Sequence, residues 1–177
     1  MADNREIWIK TGYEIFALQG ETGLKIETLA KKVGISKSSF YHHFADLEVF
    51  MEFLLKHHLS QSQILAEKEK KAKSIDPELI HVLVEHKTDL LFNRQLRFHQ
   101  NNKTYKQVIF ETNRMVGHEF IDVWAKDAQL ILTQKQLEGL YELALENFYL
   151  QINSENIHYQ WLSDFFKNLN QIAKNFQ

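Results

Sequence analysis

The chain has 177 residues, 44% of them hydrophobic, enough for a small head and a larger body with an ample core. Six glycines and one proline leave few turn-forming residues, which favours long helices, and the absence of cysteine excludes a disulfide scaffold and thiolate metal sites. A net charge of −2 does not by itself point to nucleic acid. The opening MADNREIWIK is charged rather than apolar and no run reaches transmembrane length, so neither a leader nor a membrane contact is expected and a cytoplasmic location is.

Taken in chain order, the pattern predicts an all-α protein. A first helix runs over about Asn4 to Gln19, with Ile7, Thr11, Ile15 and Leu18 on one stripe and Trp8, Gly12 and Phe16 beside it. In IETLAKKVGISKSSFYHHF, Ile26, Leu29, Ala30 and Val33 recur at i, i+3, i+4 and i+7, the apolar stripe of a short helix. Gly34 follows where a left-handed residue ends a helix without a Cβ penalty. Ser36 is placed to cap a second short helix, from which Phe40 and Phe44 face inward. Lys37, Ser38, Ser39, Tyr41, His42 and His43 then point outward, with donors and acceptors suited to phosphates and base edges. Four lysines (25, 31, 32 and 37) against Glu27 give this segment a local charge of +3, so the remainder is near −5, a basic head on an acidic body.

A fourth helix starts at Asp46, a natural N-cap, buries Phe50, Phe53 and Leu54, and ends in AEKEKKAK, expected to project into solvent. SIDPE (74–78) marks a boundary, with Asp76 as cap and Pro77 at the first helical position. Helices follow at about Pro77 to Asn93 and Thr104 to Ala125. The next opens with the capping box Thr133-x-x-Gln136 and carries Leu137, Leu140, Tyr141, Ala144, Leu145, Phe148 and Ile152 on one stripe. The last runs from near Ser154 to Asn175 with two apolar faces, Ile157, Trp161 and Phe165 on one and Tyr159, Leu162, Phe166 and Leu169 on the other.

From about Ile7 to Phe50 the chain resembles the N-terminal domain of the TetR family of bacterial transcriptional regulators, in Phe16 and Gly20, Leu29-Ala30, Gly34-Ile35-Ser36-Lys37 and Tyr41-His42-His43-Phe44. The resemblance implies a three-helix helix-turn-helix head over residues 1–50. It also implies a helical regulatory and dimerisation body over residues 51–177, joined to the head by the long fourth helix. It further implies a ligand-responsive regulator, of repressor type, binding a pseudo-palindromic DNA operator as a homodimer. Lys37, Ser38, Ser39, Tyr41, His42 and His43 would meet the major groove and its flanking phosphates, and Lys25 the backbone. Two positions depart from the family pattern: Lys25 stands where a Thr or Ser cap is usual, and Leu47 where a lysine is usual. The alternative is a small-molecule-binding or partner-docking helical protein whose head has lost specific DNA reading.

Other chemistries find little support. Adjacent pairs His42-His43 and His57-His58 diverge by ~100° on a helix and cannot share an ion. In His81-Val-Leu-Val-Glu85-His86 one residue too many rotates Glu85 and His86 off the face a zinc site needs, so most histidines are expected at the solvent surface, with His42 and His43 reserved for DNA contact. No GxSxG elbow, glycine-rich phosphate loop or cysteine nucleophile occurs, and neither enzyme activity nor a cofactor or metal is expected. A small-molecule effector, of unknown identity, would meet Phe110, Asn113, Arg114, His118 and Trp124 on the central helix. The two-faced last helix leaves Tyr141, Phe148, Trp161, Phe165 and Phe166 as candidates for a four-helix dimer interface.

Overall fold

The computed structural model describes residues 4–176, which form α1 (Asn4–Gln19), α2 (Ile26–Val33), α3 (Lys37–His43), α4 (Leu47–Glu69), α5 (Ile80–Glu85), α6 (Lys87–Phe98), α7 (Lys103–Asp127), α8 (Gln134–Gln151) and α9 (Tyr159–Lys174). No strand occurs among the described residues, and no helix among them is long and apolar enough to cross a membrane.

The head packs α1, α2 and α3 around an aromatic cluster that the start of α4 completes. Trp8 meets Phe40 edge-on at 5.5 Å, and Phe50 meets Phe40 at 5.2 Å and Phe44 at 4.8 Å. Large rings in edge-to-face contact bury much area and fix relative orientation. Gly12 admits Phe50 to this cluster, since a Cβ there would lie 2.4 Å from the ring. The buried face of α1 is therefore Trp8, Gly12, Ile15 and Phe16, while Ile7 and Leu18 of the neighbouring stripe are 45% and 53% exposed. The aromatic stripe supplies more apolar area than the aliphatic one, and the helix has turned to bury it.

The body seats α4 along α7, with α1 of the head against α6. Asp46 caps α4, accepting from the Val49 N–H at 2.8 Å, and the Thr133–Gln136 capping box forms as expected. The remaining departures come from tertiary packing. The tail of α4 does not project: Leu65 and Glu69 are buried on it, and Ala72 just beyond. Asp76 does not cap; its carboxylate accepts from the Tyr159 and Ser163 hydroxyls of α9. The helix expected over residues 77–93 breaks at His86 into α5 and α6. Residues 154–156 form a turn, so α9 begins only at Tyr159, capped by His158.

Replacing Gly12 by Ala should lower unfolding stability by about 1–3 kcal/mol, although Ala is the better helix former, because the new methyl strikes a fully buried ring. Urea denaturation of the two proteins measures this, and an unchanged or raised midpoint would contradict the packing described.

Candidate nucleic-acid interface

The turn between α2 and α3 is built from local backbone chemistry. Gly34 adopts φ 74° and ψ 21° and returns its N–H to the Ala30 carbonyl at 2.9 Å. Ser36 is extended and precedes α3, but its hydroxyl makes no capping bond; its carbonyl accepts the Ser39 N–H at 3.0 Å instead. Phe40 and Phe44 are 0% and 1% exposed, which anchors α3 by one face and fixes what the other presents. Lys37, Ser38 and His42 lie at the surface, Tyr41 is 55% exposed, and Ser39 and His43 are half-buried. Lys25, exposed at the start of α2, makes no capping bond.

One contact on this surface was not legible in the spacing. The Lys37 ammonium donates to Glu27 Oε1 at 2.8 Å, bridging α3 to α2. That hydrogen bond holds the Glu27 carboxyl below the usual carboxylate range. Both groups are exposed, so the pair adds little stability, but it occupies the cation best placed to meet a phosphate.

Behind the head, a buried polar network joins it to the body. The Tyr13 hydroxyl of α1 donates to Asp89 Oδ1 of α6 and contacts His58 Nδ1 of α4, both at 2.7 Å. Since the hydroxyl proton goes to Asp89, His58 must carry its proton on Nδ1 and donate to the Tyr13 oxygen. Its Nε2 is then free to accept from the Asn93 amide at 3.4 Å. Asn93 also donates to Thr112 of α7 at 3.0 Å and accepts from Arg97 at 3.0 Å. Arg97 reaches Asn113 at 2.7 Å and Glu146 of α8, and His86 contacts Asp89 at 2.7 Å. His58 and His86 are therefore interior groups rather than surface ones, being 1% and 5% exposed. One sequence signal could have found this network: Asp89, Asn93 and Arg97 are spaced four apart, a polar stripe along α6.

The five residues considered for an effector do not gather around a cavity. Phe110 is 67% exposed, and Arg114 and His118 follow it on the solvent face of α7. Asn113 is tied to Arg97, and the buried Trp124 donates to Asn170 of α9 at 2.7 Å. A cavity of about 50 Å³ lies instead against Val116 and Phe120, on another face of α7. Of the five aromatics considered for a dimer, Tyr141, Phe148 and Phe166 are buried within the body. Trp161 and Phe165 stack at 5.4 Å and remain half-buried, lining an open groove with Leu140, Leu143 and Ile172 between α8 and α9.

A short helix, a left-handed glycine turn and an exposed second helix held by two phenylalanines define a helix-turn-helix of the kind that enters a DNA groove. Residues 9–50 match the profile of the family described as bacterial regulatory proteins, tetR family. No match is found among curated proteins. Among solved structures, the chain is similar to a transcriptional regulator of the TerR/AcrR family from Aquifex aeolicus VF5, at 19% identity over 98% of this chain and 99% of that one, TM-score 0.61. It is similar to a putative TetR-family regulator from Rhodococcus sp., at 14% identity over 97% and 99%, TM-score 0.64. It is also similar to the multidrug binding protein EbrR, solved with proflavin, at 17% identity over 99% and 100%, TM-score 0.58. Over residues 9–50 the head is thus similar to the tetR family, and the chain as a whole shares the fold of these solved regulators.

Burial pushes the His58 imidazole down to about 4, with Asp89 opposing the shift. In the unfolded chain a histidine titrates near 6.5, so the unfolded state takes up its proton first as pH falls. The stability from neutral His58 is therefore complete above about pH 6.5 and is lost as pH falls toward 4, by an amount on the order of 3 kcal/mol. The variant His58→Gln should be less stable than the parent at pH 7 and lose less on acidification to pH 4.5, read by urea denaturation. Parallel losses in the two proteins would show that His58 does not titrate in this way.

Proposed function

We propose that the protein is a ligand-responsive transcriptional regulator, of repressor type, that binds a pseudo-palindromic DNA operator as a homodimer in the cytoplasm. The observation that carries this reading is the outward face of α3, whose Lys37, Ser38, Tyr41 and His42 are exposed while Phe40 and Phe44 lock the helix into the head. Residues 1–50 serve as the reading head and 51–177 as the regulatory body. Lys37, Ser38, Ser39, Tyr41, His42 and His43 contact base edges and phosphates, and Lys25 a flanking phosphate.

The α8–α9 groove supports the dimer. Leu143, Leu150 and Ile172 are 72%, 71% and 53% exposed, and with Leu140, Trp161 and Phe165 they give the monomer an apolar face it leaves uncovered. Pairing this face with its symmetry copy forms a four-helix interface and sets two recognition helices about one DNA turn, ~34–36 Å, apart. Leu143→Glu should convert the dimer to a monomer by sedimentation and weaken operator binding. A parent protein that sediments as a monomer at micromolar concentration would overturn the dimer.

Binding to DNA from the protein's own upstream region, read by fluorescence anisotropy, tests the reading head. Tyr41→Ala and Lys37→Ala should each weaken binding by ~1–3 kcal/mol without lowering the melting temperature. Glu27→Gln should strengthen it, because it releases Lys37 and removes a negative charge from the DNA-facing side. Binding unchanged in all three variants would place the interface elsewhere and favour a head that docks a partner instead of DNA.

A further inference from the structure

The hydrogen bonds around His58 all run in one direction. Arg97 Nε donates to Asn93 Oδ1 at 3.0 Å, and the Asn93 amide donates to His58 Nε2 at 3.4 Å. His58 Nδ1–H then donates to the Tyr13 oxygen, and the Tyr13 hydroxyl to Asp89 Oδ1, both at 2.7 Å. The two ends fix that sense, because a guanidinium has only donors and a carboxylate only acceptors. Bonds aligned head to tail in this way strengthen one another. His58, Asn93, Asp89 and Arg97 are at most 9% exposed, so a donor that loses its acceptor here finds no ready substitute in water.

A proton on His58 breaks the sequence at a definite place. An imidazolium donates from both nitrogens, so Nε2 would present an N–H to the N–H of Asn93. The amide answers by turning over, which offers Oδ1 to His58. The same turn brings Nδ2 against Arg97 Nε, donor facing donor, and takes from Thr112 Oγ1 the N–H it accepts at 3.0 Å. Arg97 has an exit. Its NH1 already meets Glu146 of α8, whose side chain is 62% exposed, and the guanidinium can follow that carboxylate outward. The titratable groups around His58 are Tyr13 on α1, the adjacent His57 on α4, Asp89 on α6 with His86 bonded to its other oxygen, and Tyr141 and Tyr149 on α8, while α7 presents the neutral Thr112 and Asn113.

We propose that His58, Asn93 and Arg97 form a proton-operated latch, in which a proton on His58 turns the Asn93 amide and releases Arg97, uncoupling α8 from the base of the head as the surroundings acidify. In the closed latch burial is the largest influence on His58 and lowers it to about 4, with Asp89 opposing and His57 assisting. Once the latch opens, the imidazole returns toward the ordinary value near 6.5. The open form therefore takes up the proton first as pH falls. A latch favoured about tenfold at neutral pH opens at about pH 5.5, and one favoured about a hundredfold at about pH 4.5. The latch belongs to the free chain and stands whether or not the head reads DNA.

The test follows the full-length protein by NMR with ¹⁵N-labelled histidine and arginine, from about pH 7.5 to about pH 4. At neutral pH His58 should carry its proton on Nδ1, and the Arg97 Nε–H should resist exchange with solvent. On acidification that protection should vanish at the same midpoint at which His58 Nε2 gains its proton, with helix content by circular dichroism unchanged. An Arg97 that stays protected while His58 titrates overturns the proposal, as does a chain that unfolds as a whole at that midpoint. Arg97→Leu frees Asn93 to turn, so at neutral pH the proton of the uncharged ring should spread to Nε2, and proton affinity should rise at least tenfold. Loss of the Arg97 charge alone would raise proton affinity without moving the proton between the two nitrogens, and that result counts against the latch. In an Asn93→Leu background, where the path is cut, Arg97→Leu should have no further effect on which nitrogen is protonated. None of these measurements contains DNA, so failure of the latch leaves the operator assay standing, and failure of operator binding leaves the latch readable.

Discussion

The Tyr13 hydroxyl is the contact on which the relation of head to body depends. It sits between α1, α4 and α6, giving its proton to Asp89 and accepting one from His58. The phenol ring stacks on Phe92 at 4.3 Å, so the polar bonds are made inside an apolar jacket. In that setting a hydrogen bond is strong, and leaving one of its partners unmatched is costly. The head therefore cannot rotate on the body by sliding an apolar surface. It must either keep the set of bonds or exchange it for another complete set.

That constraint ties the head to the body through a defined set of bonds. The network runs from Tyr13 through Asn93 to Thr112 and Arg97, and thence to Asn113 and Glu146, so that α1, α4, α6, α7 and α8 all hold a member. The cavity shares Leu90 of α6 and Tyr141 and Tyr149 of α8 with the space beside this network. A change in the position of α6 or α8 is thus felt at the base of the head through rigid, directional bonds, a physical basis for two discrete arrangements.

The elements legible in the sequence are those whose cause is local. The α2–turn–α3 unit was set by a period, a glycine and two phenylalanines four apart. The ends of α4 and α8 were set by side chains bonding three residues away. What escaped was decided at a distance. Tyr13 finds His58 45 residues on and Asp89 76 residues on, and no window of sequence holds both. Histidine, aspartate, asparagine and arginine are more often surface residues, so a reading by type sends His58 and Asp89 outward. The same bias misplaced Glu69 and sent the polar tail of α4 into solvent. On α7 the residue types alone suggest a pocket, whereas Arg114 and His118 belong to the solvent stripe that starts at Phe110. In α1 an aliphatic stripe and an aromatic one lay side by side, and only the shape of the head decided between them.

One consequence lies in the length of α4. Its 23 residues span about 35 Å at 1.5 Å per residue, and the two ends lie in different settings. Asp46 caps it beneath α3, and Glu69 closes it at the wall of the aromatic cavity. With His58 fastened near the middle, such a rod behaves as a beam on a fulcrum. Moving the Glu69 end by an ångström about His58 would tilt the beam by on the order of 3–4°, and the far end would swing beneath α3 in the opposite sense.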